Sequence, residues 1–262
     1  MLRRGFSLVE LSIVLVILGL LVGGILAGRS LIRAAELRAV GTEYQRYKTA
    51  MMAFRDKYFQ APGDFRDATR FWGRMSTTGC PTYSSAAISS TGTCDGNADG
   101  SISGAGGGAS SERFQIWRHL ALSGMIEGEY SGMAGASGST DCEAGVNCPV
   151  SKINNASWMV QTLNNFAGDT AAYAMNYGNA FVFGGLQAGG GPFQKIITPI
   201  EAWNIDSKMD DGLPASGRVI GRFWNNACSE ADDGNSANDD LVASYRLSDT
   251  TIQCAFYFRN IF

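Results

Sequence analysis

The first 58 positions carry two hydrophobic patterns in succession. From Phe6 to Gly28 the chain is apolar without a period, and Glu10 is its only ionisable side chain. About 20 such residues span the hydrocarbon of a bilayer as a helix. Beyond Arg29, apolar residues recur at Leu37, Val40, Tyr44, Tyr47, Met51, Phe54 and Tyr58. This three-four alternation predicts one apolar stripe along an amphipathic helix. Arg38, Glu43, Gln45, Arg46, Lys48, Arg55, Asp56 and Lys57 fall between and suit a solvated or inter-subunit face. Pro62-Gly63 ends the pattern. As one helix from Phe6 to Tyr58 the segment is about 80 Å long at 1.5 Å per residue.

After residue 58 the pattern changes to short runs. Ala180–Phe183, Lys195–Thr198, Arg218–Gly221 and Gln253–Phe258 are rich in β-branched and aromatic residues and bounded by Gly, Pro, Asp or Asn, which predicts strands. Glu112–Leu122, with Phe114, Trp117, Leu120 and Leu122 at helical spacing, predicts a second helix, and Asn155–Phe166 is a candidate third. Ser, Thr and Gly dominate residues 76 to 111 and 131 to 140, which read as surface loops. About 200 residues remain once the long helix is set aside, enough for one core. The expected fold class is α+β, an antiparallel sheet laid against the C-terminal half of a long N-terminal helix.

Composition narrows the function classes. Charged residues make up 17% of the chain and the formal net charge is −3, so no basic surface for nucleic acid is indicated. No G-x-S-x-G, Walker-type loop, H-E-x-x-H or dinucleotide fingerprint occurs, and no enzyme activity is expected. Six cysteines behind an export-competent N-terminus imply disulfides in an oxidising compartment. Sequence leaves their connectivity open; proximity favours Cys80–Cys94, Cys142–Cys148 and Cys228–Cys254. A metal cluster fits less well, because C-x-x-C spacing is missing and the chain has one histidine, His119.

Two loops carry cation-type chemistry. Asp95, Asn97, Asp99 and Ser101 place oxygens at every second position with Gly100 at the turn, as in the first part of an EF-hand loop, which makes calcium a candidate ligand. The position of the bidentate glutamate is Gly106 instead, and Glu112 substitutes only if the intervening glycine run folds back. A solvated Asp/Asn/Gly turn is the plainer alternative. In Ile205–Gly217, Asp211-Gly212 and Pro214 specify tight turns and Lys208 is placed to bridge Asp206 and Asp210, with a second cation site as an option. Asp232, Asp233, Asp239 and Asp240 form another acidic loop, read as a solvated face.

The remaining puzzle is Glu10. A carboxylate at the centre of a bilayer costs about 2.5 kcal/mol or more and normally has a partner. A secretory signal peptide is a poor account of the run, which is long and lacks an A-x-A site. Arg3 and Arg4 precede it while Arg29, Arg33 and Arg38 follow it, so charge does not decide its orientation. Met1-Leu-Arg-Arg-Gly5 followed by Phe6-Ser-Leu-Val-Glu10 closely resembles the leader and cleavage site of type IV prepilins and type II secretion pseudopilins. The resemblance implies cleavage between Gly5 and Phe6 by a prepilin peptidase and N-methylation of Phe6. It also implies that Glu10 pairs with the N-terminal amine of a neighbouring subunit, a pairing that buried charges require.

By the same resemblance the chain divides into a leader (1–5), a transmembrane and filament-core helix (6–28), its amphipathic continuation (29–58) and a disulfide-stapled head (59–262). The partners implied are other copies or related pilins, the peptidase, an inner-membrane assembly platform and the membrane itself. The place implied is the bacterial inner membrane with the head in the periplasm, then a filament. No cofactor is required. Many type IV pilins have a proline in the first half of the helix and pseudopilins often lack it; here none occurs between Phe6 and Tyr58. Gly92–Gly132 resembles a subgroup of pilin-like proteins through its Asp-rich loop and Glu112, Trp117, His119, Leu120, Gly128 and Tyr130. His119 reads as structural there. A type IV pilus-like filament subunit is the leading expectation. A minor pseudopilin and a membrane-anchored ligand-binding protein are the alternatives.

Overall fold

The computed structural model describes residues 7–75, 92–102, 112–164, 172–222, 227–230 and 241–262. Helix α1, Leu8–Tyr58, is unbroken over 51 residues, about 76 Å at 1.5 Å per residue. It starts at Ser7, whose hydroxyl accepts from the Val9 amide, and ends with Phe59 in a left-handed conformation. No residue of its membrane-length apolar window is buried, whereas Val40, Tyr44, Tyr47, Ala50, Met51 and Phe54 are. The three-four stripe is therefore the docking face of the head. A short helix α2 (Ala68–Trp72) and the helix α3 (Glu112–Leu122) follow.

The sheet has four strands: β1 (Ala156–Leu163), β2 (Gly178–Gly185), β3 (Val219–Gly221) and β4 (Phe256–Phe258). Their spatial order is β1-β2-β4-β3 and every pairing is antiparallel. Side chains on successive strand residues point to opposite faces, and here both faces are buried. Trp158, Val160, Phe181, Phe183, Phe256 and Phe258 face α1 and join its stripe in the main core. Met159, Val182, Ile220 and Tyr257 face the other way, under Tyr173 and Tyr177. The main core is aromatic. Tyr44 stacks on Phe258 with centroids 4.7 Å apart, and Tyr47 meets Trp117 edge-on at 5.1 Å.

Several expectations change. The Asn155–Phe166 candidate helix is overturned over 156–163, which form β1; burial on both faces removed the alternation that marks a strand. Lys195–Thr198 forms only an isolated bridge, Ile197 to Cys254. Thr198 instead caps helix α4, Pro199–Met209, through a capping box with Glu201. Glu43 is not on a solvated face. It is buried, and its carboxylate accepts from Trp158 Nε1 at 2.7 Å and the Lys152 amide at 2.8 Å, so α1 is keyed to β1 by a satisfied buried acid.

Candidate functional site

The N-terminal end of α1 is a self-contained cap. Glu10 occupies its first turn and accepts from the Ser7 amide at 2.9 Å, completing a capping box with the Ser7 hydroxyl. Within one subunit this carboxylate therefore has one backbone amide donor, that of Ser7, and an acid there suits the positive end of the helix. Gly5 and Phe6, the expected cleavage junction, lie outside the described residues. The apolar side chains from Leu8 to Leu26 are exposed. A methyl group built on Gly19, Gly23, Gly24 or Gly28 meets nothing within 4 Å. The whole first half of α1 is a surface with no partner of its own.

Where α1 enters the head, Arg33 grips α4. Its Nε lies 2.6 Å from Glu201 Oε1 and its Nη2 2.8 Å from Oε2, a bidentate pair, while its Nη1 donates to Glu36 at 3.0 Å. Burial pushes the Glu201 carboxyl up, and the Arg33 and Thr198 donors more than reverse this, holding it below its ordinary range. One glutamate thus caps α4 and ties it to α1. Sequence reasoning missed α4, although Thr198-Pro199 with Glu201 three residues on is a legible start signal.

In the Asp95–Ser101 turn, Asp95, Asn97 and Asp99 all accept hydrogen bonds. Asp95 accepts from the Thr69 amide and hydroxyl at 2.7 and 2.8 Å, which commits it to the start of α2. Asn97, Asp99 and Ser101 are linked by turn hydrogen bonds along the chain. Asp99 instead meets Asp64 and Glu112, each offering an oxygen within 4.8 Å of the others. The chain therefore does bring Glu112 back to the loop. Asp64 was not singled out from sequence; it follows Gly63, where a Cβ would lie 2.6 Å from the Glu112 carbonyl. Asp64 accepts from the Asp99 and Gly100 amides, and Glu112 from the Asn97 amide.

His119 is fully buried. Its Nδ1 accepts from the Gly63 amide at 2.9 Å, its Nε2 lies 3.0 Å from the Cys94 carbonyl, and its ring stacks on Trp72 and Phe54. With Nε2 protonated, both bonds are made by a neutral ring, and burial pushes the imidazole down to about 4. Cys142–Cys148 and Cys228–Cys254 are disulfides with Cα atoms 5.7 and 4.9 Å apart, as proximity predicted. Cys94 is disulfide-bonded too; its expected partner, Cys80, lies outside the described residues, as do Gly106, Asp232, Asp233, Asp239 and Asp240.

The 205–217 loop departs from expectation in one respect. Among the described residues Lys208 makes no ion pair. Asp210 pairs instead with Arg218, 3.9 Å away, and accepts from the Arg218 and Val219 amides, while Asp206 accepts from the Tyr245 hydroxyl at 2.9 Å.

No curated protein and no solved structure gives a match to this chain. The prokaryotic N-terminal methylation motif matches residues 1–26, the stretch that holds the Gly5–Phe6 junction, Glu10 and the exposed apolar start of α1. With α1 laid on a four-stranded antiparallel sheet, the chain carries the prepilin signature of type IV pilins and pseudopilins on an α+β, pilin-like fold.

Proposed function

We propose that this protein is a structural subunit of a type IV pilus-like filament, with no catalytic role. It is cut after Gly5 by prepilin peptidase, methylated on Phe6 and polymerised through α1 with other pilin subunits on an inner-membrane assembly platform. The observation that carries this reading is the methylation motif on a helix half that its own head leaves bare. Such a surface is stable in lipid or against other copies, and in neither case in water. Before assembly the subunit sits in the bacterial inner membrane with its head, and its disulfides, in the periplasm. Afterwards the helix lines the filament and the head covers it. A minor pseudopilin of a type II secretion system is the second reading, favoured by the uninterrupted, proline-free α1.

Processing and assembly separate by mutation. Gly5→Leu places a branched side chain at the cleaved bond and leaves an uncut membrane protein. Glu10→Leu is still cut but does not enter filaments, because it removes the counter-charge for a neighbouring amine. Mass spectrometry of mature protein finds an N-methylated Phe6. An intact Met1 in mature material overturns the reading. Sheared surface filaments containing the protein favour the pilus; its confinement to the periplasm favours the pseudopilus.

A further inference from the structure

We propose that Asp206, Asp210 and Asp211, at the C-terminal end of α4, hold a divalent oxygen-seeking cation of the calcium type. One carboxylate oxygen from each lies within 4.8 Å of the other two, a spacing a single ion at 2.3–2.6 Å from each can bridge. The second observation is a missing donor. Asp206 is fully buried, and its Oδ1 has no hydrogen-bond partner, although Tyr245 satisfies Oδ2. The Gly212 amide approaches this carboxylate without satisfying Oδ1. A buried carboxylate oxygen left in this state costs about 1–3 kcal/mol or more, and a cation removes the deficit.

The surroundings are built for it. Among the described residues the three carboxylates make a single ion pair, that of Asp210 with Arg218 3.9 Å away. The local excess of negative charge matches a divalent ion. Asp210 is fixed by the Arg218 and Val219 amides, and Asp211 by the Leu213 amide and the Ser216 hydroxyl. Gly217, at φ +69°, passes so close that a Cβ there would collide with Asp210 Oδ2 and lie 3.0 Å from Asp211 Oδ2. Asp211 is exposed, so water completes the coordination shell on that side. The Asp64, Asp99 and Glu112 group lacks this second feature, since backbone amides already occupy Asp64 and Glu112. The ion joins the end of α4, the start of β3 and, through Asp206, Tyr245.

The test uses the full chain in detergent micelles with calcium or terbium as the probe. Trp203 Nε1 would lie 3.5 Å from a Cβ on Gly212, close enough to the site to sensitise terbium emission. Terbium luminescence displaced by calcium is expected, together with a melting rise of about 3–5 °C at a tenfold excess over Kd. Asp206→Asn and Asp211→Asn abolish both responses while near-ultraviolet dichroism stays native; Asp99→Asn leaves both intact. Calcium responses that survive Asp206→Asn in a folded protein, or that vanish only with Asp99→Asn, overturn the proposal. So does a wild-type chain whose melting ignores calcium.

Discussion

His119 illustrates what a single residue contributes here. Both ring nitrogens are engaged and burial disfavours the imidazolium, so the folded chain resists a proton that the unfolded chain accepts from about pH 6.5. Stability from this residue is complete above that pH. It declines as pH falls towards 4, by about 3 kcal/mol in total, because the unfolded state binds the extra proton throughout that window. Asp206, which burial pushes up to about 7, works in the opposite sense when no cation is bound. The comparison must therefore be a difference. Urea midpoints of wild type and His119→Asn, measured from pH 7 to pH 4, converge as the pH drops. A constant gap shows that the buried ring is not what resists the proton. Glu43 makes the complementary point: its stripe-side burial is invisible in a spacing rule, because only Trp158 and the Lys152 amide, more than 100 residues away, make the position habitable for a carboxylate.

At the scale of elements, α1 was fully legible and β1 was not. The stripe from Leu37 to Tyr58 obeys helical spacing because only one side of α1 meets the head. β1 has neighbours on both faces, so Ser157, Trp158, Met159 and Val160 are all buried and the period of two is lost. α4 was overlooked although its capping box was in plain view, since the β-branched Lys195–Thr198 run preceding it suggested a strand. The clamp between α1 and α4 rests on Arg33 and Glu201 together. The pair is partly exposed at the surface, which limits an ion pair of this type to about 1 kcal/mol, and loss of the Glu201 cap adds a comparable amount. Glu201→Ala, which removes both the pair and the N3 cap, is expected to cost about 1–2 kcal/mol and Arg33→Met about 1 kcal/mol. A double-mutant cycle should give a coupling of about 0.5–1 kcal/mol that shrinks in high salt. A coupling of zero would mean that α4 is held by Ala202 and Ile205 packing alone.

For the whole molecule, the candidate sites were readable in proportion to how local their chemistry is. The Gly5–Phe6 junction and Glu10 form a contiguous motif within the matched residues 1–26, and the two described disulfides join cysteines near in sequence, so both features can be read from a sequence without its fold. The acidic groups are non-local. Asp64 reaches Asp99 and Glu112 from a different segment, and Asp206 depends on Tyr245, which no spacing rule connects. The described residues also divide the labour cleanly. The buried core is drawn from Val40 onward, and the exposed apolar run from Leu8 to Leu26 contributes nothing to it.

The open space around Gly19, Gly23, Gly24 and Gly28 has a consequence for how this protein can be interrogated. Replacing any of them with alanine meets no obstacle within the subunit and firms the helix by up to about 1 kcal/mol per site. Calorimetry of the solubilised subunit should therefore show an unchanged or slightly raised melting temperature. If such variants nevertheless lose filaments, the defect is a direct report on close approach between copies, uncontaminated by misfolding. If they melt several degrees lower as isolated subunits, the glycines serve the fold itself. These four positions are thus a genetic probe of assembly that the folding of the monomer does not confound.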